Sequence, residues 1–128
     1  MTSIKFRQAL MAALLTMAPF AAHAHGSMKP QHGGVVQMSG ETMVEFVPGS
    51  KGLSFYVTEE DEPLPASGFD GAVTLTLPGG AKSSHALMAQ TANLFTAPGL
   101  AAPTGTKVLV SLLDKRSGAK TFVTFTSP

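Results

Sequence analysis

Residues 53–58 read Leu53-Ser54-Phe55-Tyr56-Val57-Thr58, with Leu, Phe and Val at every second position. A period of two is the mark of a strand that turns one face to a core and the other to water. The same alternation lies on either side of this stretch, in Val44 and Phe46, then in Val73, Leu75 and Leu77, then in Val108, Val110 and Leu112. Working outward, runs rich in Val, Phe, Leu and Thr predict strands over 35–38, 42–47, 53–58, 72–77, 82–88, 93–97, 107–113 and 121–126. Ser39-Gly40, Pro48-Gly49-Ser50-Lys51, Pro78-Gly79-Gly80, Pro98-Gly99 and Arg116-Ser117-Gly118 separate them and supply the backbone angles of tight turns. Seven or eight short half-buried strands predict an all-β domain, an immunoglobulin-like antiparallel β-sandwich, with a small barrel as the alternative. The longest connection, 59–71, holds Glu59-Glu60-Asp61-Glu62 and Pro63-Leu64-Pro65 and is expected to be a solvated surface loop.

The N-terminal end has a different character. Lys5 and Arg7 precede an almost wholly apolar run from Ala9 to Phe20, and Ala22-His23-Ala24 supplies a small-x-small triplet, so residues 1–24 read as a signal peptide cleaved after Ala24. The run is shorter than the ~20 residues that span a bilayer, and no later stretch offers a membrane anchor for the mature chain. Removing 24 of the 128 residues leaves 104, enough for one core. The predicted organisation is therefore a leader over 1–24, an extended arm containing His and Met over 25–34, and a β-sandwich over 35–128. The expected location is the periplasm. The leader takes two of the nine basic residues, leaving seven against eight acids, with no basic face for nucleic acid. The chain has no cysteine, so stability rests on the core and any metal must be held by His, Met, carboxylate or the terminal amine.

Cleavage after Ala24 makes His25 the first residue, where its free amine and imidazole chelate one ion in a compact ring suited to Cu(II). His32 follows in Pro30-Gln31-His32-Gly33-Gly34, close enough along the arm for both rings to meet one metal, with Met28 between them. The alternative for His32 is a solvated loop residue. Thioether sulfur suits Cu(I) and imidazole suits Cu(II) or Zn, so the mixture points to copper ahead of zinc. Met38 and Met43 follow as further thioethers, and of the two readings, soft donor or filler of a core gap, the filler is the one expected. His85 completes a three-His site if it faces the arm, and is a neutral histidine bonded to a backbone carbonyl if it faces the core. No nucleophile elbow, phosphate loop or zinc-protease motif is present, and the chain is not expected to be an enzyme.

His25-Gly26, Pro30-Gln31-His32-Gly33-Gly34-Val35-Val36, Glu45-Phe46-Val47 and the 53–58 strand before an acidic turn together resemble small periplasmic β-domain proteins of heavy-metal resistance systems. They are also similar to the N-terminal domain of metal efflux adaptor subunits. The resemblance implies an exported domain that binds or hands over a transition metal, with His25 and His32 as the transferable positions and a periplasmic efflux adaptor as partner. It places His85 where such chains carry an aliphatic residue. The mature His-Gly start also resembles the histidine brace of copper carriers and copper-dependent monooxygenases. The leading expectation is a soluble periplasmic copper- or zinc-binding protein for buffering or transfer, with His25, His32, Met28 and His85 as candidate ligands. The rival expectation is a metal-free interaction module docking on an envelope protein.

Overall fold

The computed structural model describes residues 29–128. The predicted leader, His25 and Met28 lie outside the described residues. All eight predicted runs form strands, and the all-β sandwich expected from them is what they build. One sheet has the order β1-β2-β3-β8-β7, made by Val35–Ser39, Thr42–Gly49, Gly52–Glu59, Leu94–Pro98 and Met88–Ala89, with β4 (Glu62–Pro63) also paired to β3. The other has the order β10-β9-β5-β6, made by Lys120–Thr126, Lys107–Asp114, Phe69–Thr76 and Lys82–Ala86. Every pairing is antiparallel.

The alternation read from the sequence chooses the core. Val44, Phe46, Leu53, Phe55, Val57 and Phe95 from the first sheet meet Val73, Leu75, Val108, Val110, Leu112, Val123 and Phe125 from the second, and all are buried. The rings of Phe46, Phe55 and Phe125 lie 5.2 to 6.5 Å apart and join the two layers. Each such side chain contributes about 1.5–3 kcal/mol through the apolar surface it removes from water.

Two departures raise the strand number to ten. The run 82–88 divides at Leu87, which turns into the core while its backbone N–H donates to the Gly71 carbonyl (2.9 Å). The chain therefore leaves the second sheet as β6 and joins the first as β7. The connection 59–71 is not the solvated loop expected. Glu60 and Asp61 take φ of 49° and 65°, the mirror-image turn that suits a two-residue hairpin, and fold β4 back on β3. Leu64 then donates from its N–H to the Val57 carbonyl (3.0 Å), Ala66 is fully buried, and a single 3-10 turn (Ala66–Gly68) leads into β5. The apolar Leu64, Ala66 and Phe69 outweigh the acidic run because only the turn itself needs to be wet. Among the described residues no helix is long and apolar enough to cross a membrane.

Candidate metal site

The outer face of the first sheet begins as a consequence of register. With Val44 and Phe46 inward on β2, the intervening Met43 and Glu45 point outward, and so do Tyr56 and Thr58 on β3 and Val36 and Met38 on β1. Glu45 stands opposite Tyr56 on one side and Val36 on the other; Met43 stands opposite Thr58 and Met38. A period of two predicts that such a face is solvated. Here it is not, because the arm folds across it and leaves only 4% of the Glu45 side chain exposed.

Local backbone geometry brings the arm down. Gly33 sits at φ 72°, and a Cβ on Gly34 would run into the Phe46 carbonyl oxygen and the Val47 side chain, so the chain can lie flush on β2 only as glycine at that point. The bends over 31–34 then aim successive N–H groups at one carboxylate, a small anion-binding nest. Gln31 donates to Oε1 (3.0 Å), His32 to Oε2 (2.8 Å) and Gly34 to Oε2 (2.9 Å). The fourth partner is the His32 ring, whose Nδ1 lies 2.9 Å from Oε1. Burial pushes the Glu45 carboxyl up, but the bonds from the His32 ring and from the N–H groups of Gly34, His32 and Gln31 outweigh it, and the group rests below its ordinary value.

This assembly fixes a histidine. An ionised carboxylate only accepts, so Nδ1 must be the protonated nitrogen. The ring lies on Tyr56 with centroids 3.5 Å apart and planes within 3°. In the neutral ring the lone pair then belongs to Nε2, on the side turned away from Glu45, and the His32 side chain is 43% exposed. A carboxylate that holds one imidazole nitrogen while the other is presented is the support a metal-ligating histidine uses.

Of the two candidate ligands among the described residues, His32 is placed in this assembly, anchored at Glu45 although its side chain stays 43% exposed. His85 is elsewhere: it lies on β6, the edge strand of the second sheet, opposite Val73, half-buried, with Nε2 3.0 Å from the Ser83 hydroxyl. Among the described residues it bonds neither to the arm nor to a backbone carbonyl. Among the described residues no three His, Asp or Glu side chains gather as a metal cage.

The expectation for Met38 and Met43 is overturned. Neither is among the buried core residues; they are directly opposed on the outer face, both half-buried. Glu45 went unread because alternation treats every outward acid as solvated. Its only cue was Gly33-Gly34 immediately before β1, a sign of backbone lying close on a neighbour. Comparison with family models, curated proteins and solved structures gives no match.

Proposed function

We propose that the chain is an exported metal-binding protein of the periplasm that holds copper, ahead of zinc, through the Nε2 of His32, for buffering or for transfer to an efflux partner. One observation carries this reading: His32 has its tautomer set by Glu45 and its plane set by Tyr56, while 43% of its side chain stays exposed. The buried carboxylate supports a bound ion in a further way, since it holds the ring in place through Nδ1. Further donors come from the segment before Lys29, where His25 with its amine and Met28 are the candidates. His85, on the edge strand of the second sheet, has no part in this reading.

Calorimetric titration of Cu(II), then Zn(II), into the exported protein with its N-terminus identified by mass spectrometry tests the reading. His32→Ala should abolish tight binding, and Glu45→Gln should weaken it by about 10- to 100-fold while leaving the ligand in place. An affinity unchanged in both variants would reject the site, and the clasp would then serve only to tie the arm to the sandwich of an interaction module.

A further inference from the structure

Basic and acidic side chains nearly cancel in number along the mature chain, and this balance hides how the fold distributes them. On the first sheet Ser39 pairs with Thr42, Thr42 with Glu59 and Glu59 with Glu62; on the second, Phe69 pairs with Asp114, and Asp70 with Leu113. The two sheets meet at this level, where Glu59, Phe69 and Asp114 line one groove. Glu41, the Glu59-Glu60-Asp61-Glu62 hairpin, Asp70 and Asp114 therefore gather at one end of the sandwich, which is seven of the eight acids. Lys115, Arg116 and Lys120 stand among them, with Lys29 on the adjoining arm. The eighth acid is Glu45, closed in its clasp.

At the other end, about 26 Å away along an eight-residue strand, the composition is reversed. Here Gly49 pairs with Gly52 and Gly52 with Pro98, while Thr76 pairs with Lys82 on one side and Lys107 on the other. Lys51, Lys82 and Lys107 are all exposed, and among the described residues no acidic side chain shares this end. Lys82 and Lys107 face each other across β5, two strand spacings or about 9–10 Å apart. The Lys51 carbonyl accepts from the Gly99 N–H (2.9 Å), and a Cβ on Gly105 would stand 3.5 Å from Pro78. The connection between β8 and β9 thus ties the β2–β3 and β5–β6 turns into one tip. Leu77, 38% exposed, belongs to the same tip.

We infer that this basic tip docks on an anionic lipid surface, with Lys51, Lys82 and Lys107 meeting headgroup phosphates and Leu77 reaching the acyl boundary. Each lysine near such a surface strengthens binding by about fivefold, and three together by on the order of 100-fold. The acidic end does not cancel this, because its charges lie about 26 Å back and the field is screened within about 10 Å at 0.1 M salt. Residue type favours lipid over a protein partner. Arg is the cation enriched at protein interfaces and Lys is depleted there, and Arg116, the arginine among the described residues, sits at the opposite end. Lysine is a point charge on a flexible stem, which suits phosphates that hold no fixed geometry. A peripheral contact of this kind needs no spanning helix, and it is independent of what His32 binds.

Co-sedimentation of the exported chain with vesicles of phosphatidylglycerol and phosphatidylcholine in equal parts, in the presence of a metal chelator, tests the inference. Uptake should be measurable at about 0.1 M salt, fall at least about tenfold at about 1 M, and be absent on phosphatidylcholine alone. A Lys51→Gln/Lys82→Gln/Lys107→Gln variant should bind at least about tenfold more weakly. A Lys115→Gln/Arg116→Gln/Lys120→Gln variant removes the same charge from the acidic end and should change binding by less than about twofold. No uptake at the lower salt, equal uptake by phosphatidylcholine, or equal losses in the two variants would overturn the inference, the last by showing that net charge and not the tip governs binding. Salt-sensitive self-association without vesicle uptake would also overturn it, and would assign the tip to the acidic end of a second copy.

Discussion

The two sheets of this sandwich share one core but turn unlike outer faces to their surroundings. On the second sheet the outward positions of β5 and β6 are Thr74, Thr76, Ser84 and Lys82, with the Thr74 and Ser84 hydroxyls 2.8 Å apart, and Phe122 stands 55% exposed on β10. On the first sheet the outward positions include Met38, Met43, Glu45 and Tyr56, and the arm lies over Glu45 and Tyr56. The hydroxyls of the second face can be satisfied by one another and by water. A buried carboxylate is different: without donors it would carry an uncompensated charge, so the first face makes sense only together with the residues that cover it. Alternation tells which side of a strand faces the core. What becomes of the other side depends on whether a further segment has a reason to settle there.

Four perturbations would break or sharpen this contrast. The largest effect should come from below both faces: Phe55→Ala is expected to destabilise the fold by about 3–5 kcal/mol in chemical unfolding, with probes on the two sheets reporting one transition. Separate midpoints would mean that the sheets are not one cooperative body. Next, Glu45→Ala should remove about 1–3 kcal/mol and strip hydrogen-exchange protection from the Gln31, His32 and Gly34 amides, while amides of β9 keep theirs. Retained protection at those three would show that the arm is held by something other than the carboxylate.

Acid should act as a milder form of the same change. The folded value of Glu45 is depressed below its ordinary 4.5, so its contribution is whole above that pH and falls away as the pH drops through the lower folded value. The amide signals of Gln31, His32 and Gly34 are therefore expected to lose their folded shifts in that acid range, before the core melts. Arm and core signals disappearing together would argue against a separable clasp. The smallest effect belongs to the open face: Phe122→Ser should change stability by no more than about 0.5 kcal/mol. A substantial loss there would reveal that Phe122 is covered in the folded protein.

Much of this architecture could be read from residues alone, because core strands obey one strong rule. Leu53, Phe55 and Val57 are buried as their spacing demands, and so are Val73, Leu75, Val108, Val110 and Leu112. The division of β6 from β7 was hidden, since Leu87 continues the local alternation and only Gly71 across the way shows that the chain changes sheets. His32 was legible as a candidate because it follows His25 by seven residues along the arm, with Met28 between them. Glu45 was not, since its burial is created by contacts 11 to 14 residues distant in sequence. The methionines failed for the complementary reason: a side chain at home in cores gives no local sign that register will leave it outside.

The placement of β8 beside β3 also imposes an order on how the chain assembles. β1, β2 and β3 follow one another as hairpins and can pair as soon as they exist, but the free edge of β3 must wait for Leu94–Pro98, with Phe55 meeting Phe95 only after the whole of β5, β6 and β7 has been laid down. Distant pairings of this kind slow folding, and an unpaired edge is where a half-made sheet recruits a neighbour. The short β4 hairpin, with Pro63 against Thr58, closes only the far end of that edge. The window during which the molecule is most open to aggregation is thus the interval between the synthesis of β3 and the arrival of β8.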